Sequence, residues 1–568
     1  MTEQPRCENA DRFARLSNEI PRTIWQLNPV DATALGIHDY DDTLGDVSAE
    51  AFHSYANTLK AQAEALRSDV NPSLLDDEQS LDYQLALSLA STNYVALECQ
   101  RSWMNNPASY LSLGIWGCFA LLLREFAPFE ERASSMLSRM REIPNMLRMS
   151  KANIPDPPRV FVDVAIEVLR GGVAFFRNAV PKIAAEVPTL QNDLLKANDA
   201  AISAFDEYER WLREAVLPHA DGRFAVGRDV YEQLLDVEHR LACSPDEIVL
   251  LGEKLLKDTT ERIQEAAARI DPCVGWQDLV MRLKLEHPSK NTLADAYKAA
   301  IQSARDFVLE RDLVTIPENE RLEIRETPEF ERSVTPYAAY MPPAAFEASR
   351  KGYFWVTPVD ESAPADKQEE QLLGHCIYTI PVIALHEAYP GHHLHLTRAV
   401  SVKSPLCKQT WSNLSVEGWA LYCEEMMHEQ GFYTDPRVRL FQLKDLLWRA
   451  CRAIIDVGLH TGEMTIKDAV QMLVETAHLE NINAIAEVKR YAMSPTQPMT
   501  YTVGKKLLLD LRSQMSQKLG SRFDLKTFHD QLLSYGPIPP GLISQRMLGS
   551  LRKTSSASDT DHPAADAA

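Results

Sequence analysis

His386-Glu387-Ala388-Tyr389-Pro390-Gly391-His392-His393 follows directly on Tyr378-Thr379-Ile380-Pro381-Val382-Ile383-Ala384-Leu385. Pro381 suits the first turn of a helix. The apolar residues after it would bury that helix, which puts His386 and Glu387 on a core helix. Histidines 386, 392, 393 and 395 fall within ten positions, although the chain has only 15 histidines. Such a cluster points to a metal site rather than to separately satisfied core histidines. A His-Glu opening is shared with H-E-x-x-H, where two histidines four apart bind zinc on one helix face and the Glu acts as general base. Here the fourth position after His386 is Pro390. On an ideal helix His392 would point roughly 120° away from His386, and His393 would lie roughly 10 Å further along the axis. Neither could share a metal with His386, because Zn–N bonds are about 2.0–2.1 Å. Pro390 lacks the N–H that would bond the His386 carbonyl, so the helix must bulge, kink or end there. Gly391 then permits a bend that brings a later histidine back to the metal. His392 and His393 are both candidates for that position.

Outward from this segment, helical periodicity dominates. Apolar positions recur three and four apart over residues 51–68, 75–98, 112–127 and 131–152, and again over 156–180, 181–217 and 245–269. Residues 412–430 read as a helix with Gly431 at its C-terminal stop. Strand-like alternation is confined to Leu322–Arg325 and Tyr353–Val359, expected to form a small hairpin near the site. They flank or enter a Pro-rich stretch, residues 328–368, of a length that is often functional. The tail from Thr554 to Ala568 is small, polar and unpatterned, and is expected to be disordered. The expected organisation is an N-terminal helical lobe over 1–230, a helical catalytic lobe over 231–553 and the tail 554–568.

The bulk numbers narrow the function classes. With 568 residues, 45% hydrophobic and 24% charged, the chain can bury a sizeable core without staples. A metal would therefore be catalytic. The net charge of -21 argues against nucleic acid and anionic membrane surfaces, which need clustered Lys and Arg. Nine scattered cysteines with no C-x-x-C pair suggest a reducing compartment. No basic, then apolar, leader is visible at Met1–Glu8, and no apolar run approaches the ~20 residues of a span. The expectation is a soluble, cytoplasmic protein whose oligomeric state the sequence leaves open.

The segment H-E-A-Y-P-G-H-H, followed by Ser415-Val416-Glu417-Gly418-Trp419-Ala420-Leu421-Tyr422, resembles the domain-of-unknown-function 885 (DUF885) family. Ala34-Leu35-Gly36-Ile37-His38-Asp39, Asp456-Val457-Gly458-Leu459-His460 and the stretch from Arg490-Tyr491 to Tyr501-Thr502-Val503-Gly504 are similar to further signatures of that family. The family in turn resembles gluzincin metallopeptidases of the thimet-oligopeptidase and Taq-carboxypeptidase types. The resemblance implies a mainly α, large two-lobed cleft fold with at most a small β hairpin near the site. It implies one zinc ion per chain, held by His386, His392 and Glu417, with His392 favoured over His393. Glu424, seven residues beyond Glu417, would back a ligand histidine. Glu387 would be the general base. Tyr501, Tyr491 and His460 are the candidate donors to the reaction oxyanion. Arg490 would hold a substrate carboxylate and His393 would touch substrate or orient Glu417, while His395 is structural. This chain reads Ser494-Pro495-Thr496-Gln497 where the family commonly has Pro-Gly-Gln.

These residues imply a zinc-dependent hydrolase cleaving amide bonds of short peptides. The alternatives are a metal-dependent hydrolase of a non-peptide amide or specialised small molecule, and a non-catalytic helical binding protein on the same fold. Glu387 argues against the last, because a metal-binding relic needs no base.

Overall fold

The computed structural model describes residues 3–558, apart from 333, 334 and 336. The chain is mainly helical, with one small three-stranded sheet. The helices expected over 51–68, 75–98 and 131–152 form as Ala49–Asp69, Asp77–Val95 and Phe129–Asn153. Local chemistry sets their starts. The Ser48 side chain accepts from the Ala51 N–H, and Asp76 and Gln79 close a reciprocal capping box on Asp77–Val95. Each such cap is worth about 1 kcal/mol. The helix expected over 181–217 is two, Val180–Glu186 and Gln191–Trp211. Pro188 lies between them and disfavours helical backbone at the residue before it.

The strands are β1 (Arg321–Glu326), β2 (Ala338–Met341) and β3 (Lys351–Val356). The sheet order is β1-β3-β2. The expected hairpin is corrected here. β1 and β3 do pair, but in parallel, from Arg321 with Lys351 to Glu326 with Val356. β2 pairs antiparallel with β3. The segment between β1 and β3 is far longer than a hairpin turn and carries β2, so the chain returns to run beside β1 in the same direction. β2 is left as an edge.

The largest apolar cluster joins Ile20, Leu85, Met140 and Phe176 to Leu385, Trp419 and Tyr422. The expected boundary between residues 230 and 231 falls inside the helix Arg228–Val237. The last helix, Pro540–Ser558, extends past Thr554. The rest of the expected disordered tail, 559–568, lies outside the described residues. Among the described residues no single helix is long and apolar enough to cross a membrane; one pair, Asp77–Asn105 with Pro107–Leu123, passes that test together but is bent by 94°.

One contact sets the geometry of the site. The helices Asn413–Glu429 and Thr500–Leu519 cross glycine against glycine. A Cβ on Gly504 would stand 2.2 Å from the Leu414 carbonyl oxygen and 2.8 Å from the Gly418 Cα. That closeness lets Glu417 and Tyr501, beside the crossing, meet. Gly504→Ala is expected to push the helices apart and cost about 1–3 kcal/mol in chemical denaturation, the usual scale of overpacking. Unchanged stability would show that the crossing is looser than this.

Candidate metal centre and its cleft

The helix Ile380–Glu387 stops just after His386, and a new helix, His392–Ala399, starts at His392. The Ala388 N–H still reaches the Ala384 carbonyl at 2.9 Å, but the Gly391 N–H turns back to Leu385 O at 3.0 Å. The Tyr389–Pro390 bond is cis. Two neighbours hold this break. The Trp419 indole N–H donates to the Pro390 carbonyl at 2.7 Å. On the other side Glu320, just before β1, accepts from the Tyr389 hydroxyl at 2.6 Å and from His393 Nε2 at 2.8 Å.

The break brings the His386 and His392 rings to 4.8 Å between centroids, nearly perpendicular. Glu417 Oε2 stands 3.6 Å from His386 Nε2 and 3.3 Å from His392 Nε2. That oxygen is buried and makes no well-formed hydrogen bond. The other oxygen, Oε1, accepts from the Tyr501 hydroxyl at 2.9 Å. Ligand atoms of His386, Glu387 and His392 also lie within 4.8 Å of one another. Two imidazoles and a carboxylate oxygen without a partner are a donor set that fits zinc. Either glutamate is close enough to complete it. Of the two, Glu417 has the unsatisfied oxygen that faces both Nε2 atoms.

Behind His386, Nδ1 bonds the fully buried Glu424 Oε1 at 2.8 Å. A carboxylate only accepts, so Nδ1 carries the proton and Nε2 is left for a metal. Burial lowers the His386 pKa, but the neighbouring carboxylates of Glu417 and Glu424 outweigh it and raise it to about 9. Burial would raise the Glu417 pKa, yet the two histidines hold it well below the usual carboxylate range.

The remaining expected residues separate in space. Tyr501 lines the cleft with His386, Glu387, His392 and Glu417. Three of the expected residues are not among those lining the cleft. His393 is fully buried, with Nε2 committed to Glu320 and Nδ1 facing the Tyr340 hydroxyl at 3.0 Å. Tyr491 is likewise not among the residues lining the cleft; its fully buried hydroxyl accepts from Arg452 Nε at 2.8 Å and Trp448 Nε1 at 3.0 Å. His460 is buried against Tyr231, and its Nε2 bonds the Tyr491 carbonyl at 3.0 Å. Arg490 does line the cleft, but it donates to Glu487 at 2.8 Å and Gln497 at 3.1 Å. His395 is buried edge-on to Trp419.

Other residues, assigned no role from the sequence, do supporting work. Arg452 lies over the Tyr501 ring, 4.5 Å from its centroid, and donates to Glu487. Asp456 accepts from the Thr496 and Met499 N–H groups and the Tyr231 hydroxyl, at 3.1, 3.2 and 3.1 Å. It thereby anchors the loop leading into Thr500–Leu519. Thr496 takes the left-handed φ of +66° that glycine favours, and its hydroxyl bonds His239 Nε2 at 2.8 Å. The hint lay in cations at 444, 449 and 452, set among Leu440, Leu443, Leu446 and Leu447 on one helix. A polar stripe on so apolar a helix is a sign of a lined cavity.

The cleft over these residues has a volume of about 960 Å³. Its walls come from Pro107–Leu123, β2, Pro436–Thr461 and Asn481–Met493.

Two solved structures share this fold. A Shewanella oneidensis protein described as a lipoprotein of unknown function is 25% identical, with a TM-score of 0.77 over 94% of this chain and 99% of that one. A Colwellia psychrerythraea protein described as a lipoprotein is 19% identical, with a TM-score of 0.79 over 96% and 100%. No curated protein matches the chain. The family described as bacterial protein of unknown function, DUF885, matches residues 29–547, so the chain, whose His386–His393 and Glu417 segments fall within that match, belongs to the DUF885 family.

Proposed function

We propose that the chain is a zinc-dependent hydrolase that cleaves amide bonds of short peptides, in the manner of the gluzincins it resembles. The observation that carries this reading is the buried Glu417 Oε2, facing the Nε2 atoms of His386 and His392 without a hydrogen bond, at the wall of a large cleft. His386, His392 and Glu417 would hold the metal. Zinc in such a site supplies an acidified water and polarises the scissile carbonyl.

The chain's own residues supply the rest. Glu387, in the cleft beside His386, takes the proton from the attacking water and returns it to the leaving nitrogen. Tyr501 turns its hydroxyl from Glu417 to the oxyanion that forms on the substrate. Arg452, over the Tyr501 ring, limits the ring's motion. The peptide reading draws support from β2. Ala338 and Ala339 line the cleft on the free edge of the sheet, where an extended peptide can add as a strand.

Metal analysis of purified protein is expected to give about one zinc per chain, the count for a three-ligand site. A chelator should abolish hydrolysis of a short-peptide panel, and added zinc should restore it. Full activity in metal-free protein would overturn the proposal.

A further inference from the structure

The cations that line the cleft differ in how their donors are used. Arg452 and Arg490 both donate to Glu487, at 3.1 and 2.8 Å. Lys284 donates to Glu480. Lys444 and Arg449 have no comparable partner. Lys444 is only 9% exposed, and its ammonium makes no hydrogen bond to the described residues; its closest carboxylate, Asp445, is 3.6 Å away. Arg449 approaches the carboxylates of Glu424 and Asp445 only to 3.8 Å each. It makes one long bond, 3.4 Å, to the Asp445 carbonyl, and its buried Nε has no partner. Buried cations with unmatched donors are costly. They are understandable where a ligand supplies the acceptors.

We propose that Lys444 and Arg449 form a subsite that binds a carboxylate of the substrate, the task first expected of Arg490. This rests on the peptide-hydrolase reading and narrows its substrate class to short peptides with a carboxylate near the scissile bond. The spacing sets how near. Arg449 lies against Glu424, which bonds the ligand His386. Lys444 is five residues earlier, about 7.5 Å along the helix axis. An extended chain covers that distance in about two residues. The carboxylate is therefore the C-terminus of a short leaving fragment or an Asp or Glu side chain beside the cleaved bond. Both present the same two oxygens to the two cations.

The test compares the wild type with Lys444→Met and Lys444→Arg. The substrates are tetrapeptides with a free C-terminus, with a C-terminal amide, and with Glu replaced by Gln at each position. Lys444→Met removes a buried charge, so folding is checked by its unfolding midpoint and Lys444→Arg is the charge-keeping control. In Lys444→Met, KM for the carboxylate substrate is expected to rise about ten- to a hundredfold, the scale of one charged hydrogen bond. kcat and the KM of the neutral peptide should stay within a few-fold, and Lys444→Arg should recover most of the preference. Loss of preference on amidation identifies the C-terminus as the source, and loss on Glu-to-Gln replacement identifies a side chain. Equal kcat/KM for charged and neutral peptides in the wild type would overturn the subsite and leave the hydrolase standing. If the wild type cleaves none of these peptides, calorimetry of the free and amidated tetrapeptides with zinc-loaded protein decides. Tighter binding of the free acid, lost in Lys444→Met, keeps the subsite while the peptidase reading falls; no binding overturns both.

Discussion

Glu387→Gln is expected to lower kcat for peptide hydrolysis by about 10²–10⁴-fold, the usual contribution of a positioned general base, with zinc content unchanged. Glutamine keeps the size of the side chain and its carbonyl acceptor but cannot take up a proton at neutral pH. The companion variant Glu417→Gln is expected to do something different. Its Oε2 stands 3.3 and 3.6 Å from the two histidine Nε2 atoms, so losing its charge should strip zinc from the protein and take activity with it. The pair is informative because Glu387 also lies within ligand distance of both histidines. If Glu387→Gln lost zinc while Glu417→Gln kept it, the two glutamates would exchange roles and Tyr501 would be left bonded to the base. Metal analysis on the two purified variants, read beside their kcat, separates these cases.

The sequence was most legible where one residue's covalent limits decide the outcome. Pro390 could not continue a helix from His386, so the break and the placing of His386 and Glu387 on a buried helix followed from local chemistry, while His392 and His393 both stayed candidates for the return. Glu417 and Glu424, two turns apart on one helix face, could likewise be expected to act together, and both reach His386. Choices settled by long-range packing were not legible. Tyr501, Tyr491 and His460 look equivalent as residues in family-like segments. What separates them is that Arg452 and Trp448, on another helix, occupy the Tyr491 hydroxyl, while Glu417 receives that of Tyr501. His393 is one residue from His392, but about 100° of helical rotation turns it to Glu320 and Tyr340 instead of the cleft. The sense of β1–β3 pairing was hidden for a related reason. Alternation identifies a strand, but nothing in its residues says which way its partner runs. Lys444 and Arg449 escaped notice because a cation on a helix usually faces water.

Gly391→Ala is expected to be the most damaging single methyl group near the site. A Cβ at Gly391 would lie 1.8 Å from the His386 carbonyl oxygen and 2.5 Å from the Leu385 carbonyl oxygen. Both are backbone atoms, so no side chain can swing aside, and the break itself must open by more than an ångström. His392 begins the helix immediately after, so it moves with the break, whereas His386 is fixed from behind by Glu424. Metal ligands tolerate errors of only about 0.2 Å. Zinc affinity should therefore fall by at least the 10–100-fold seen when a ligand's supporting contact is lost, with a stability loss of about 1–3 kcal/mol or more from overpacking. Gly431→Ala separates the two effects. Gly431 has φ +87° with no atom within 4 Å of a Cβ, so alanine there strains the backbone by about 1–2 kcal/mol far from any ligand. It should lower the unfolding midpoint yet bind zinc like the wild type. Should Gly391→Ala bind zinc as tightly as Gly431→Ala, the close return of the chain onto His386 would not be what brings His392 to the metal.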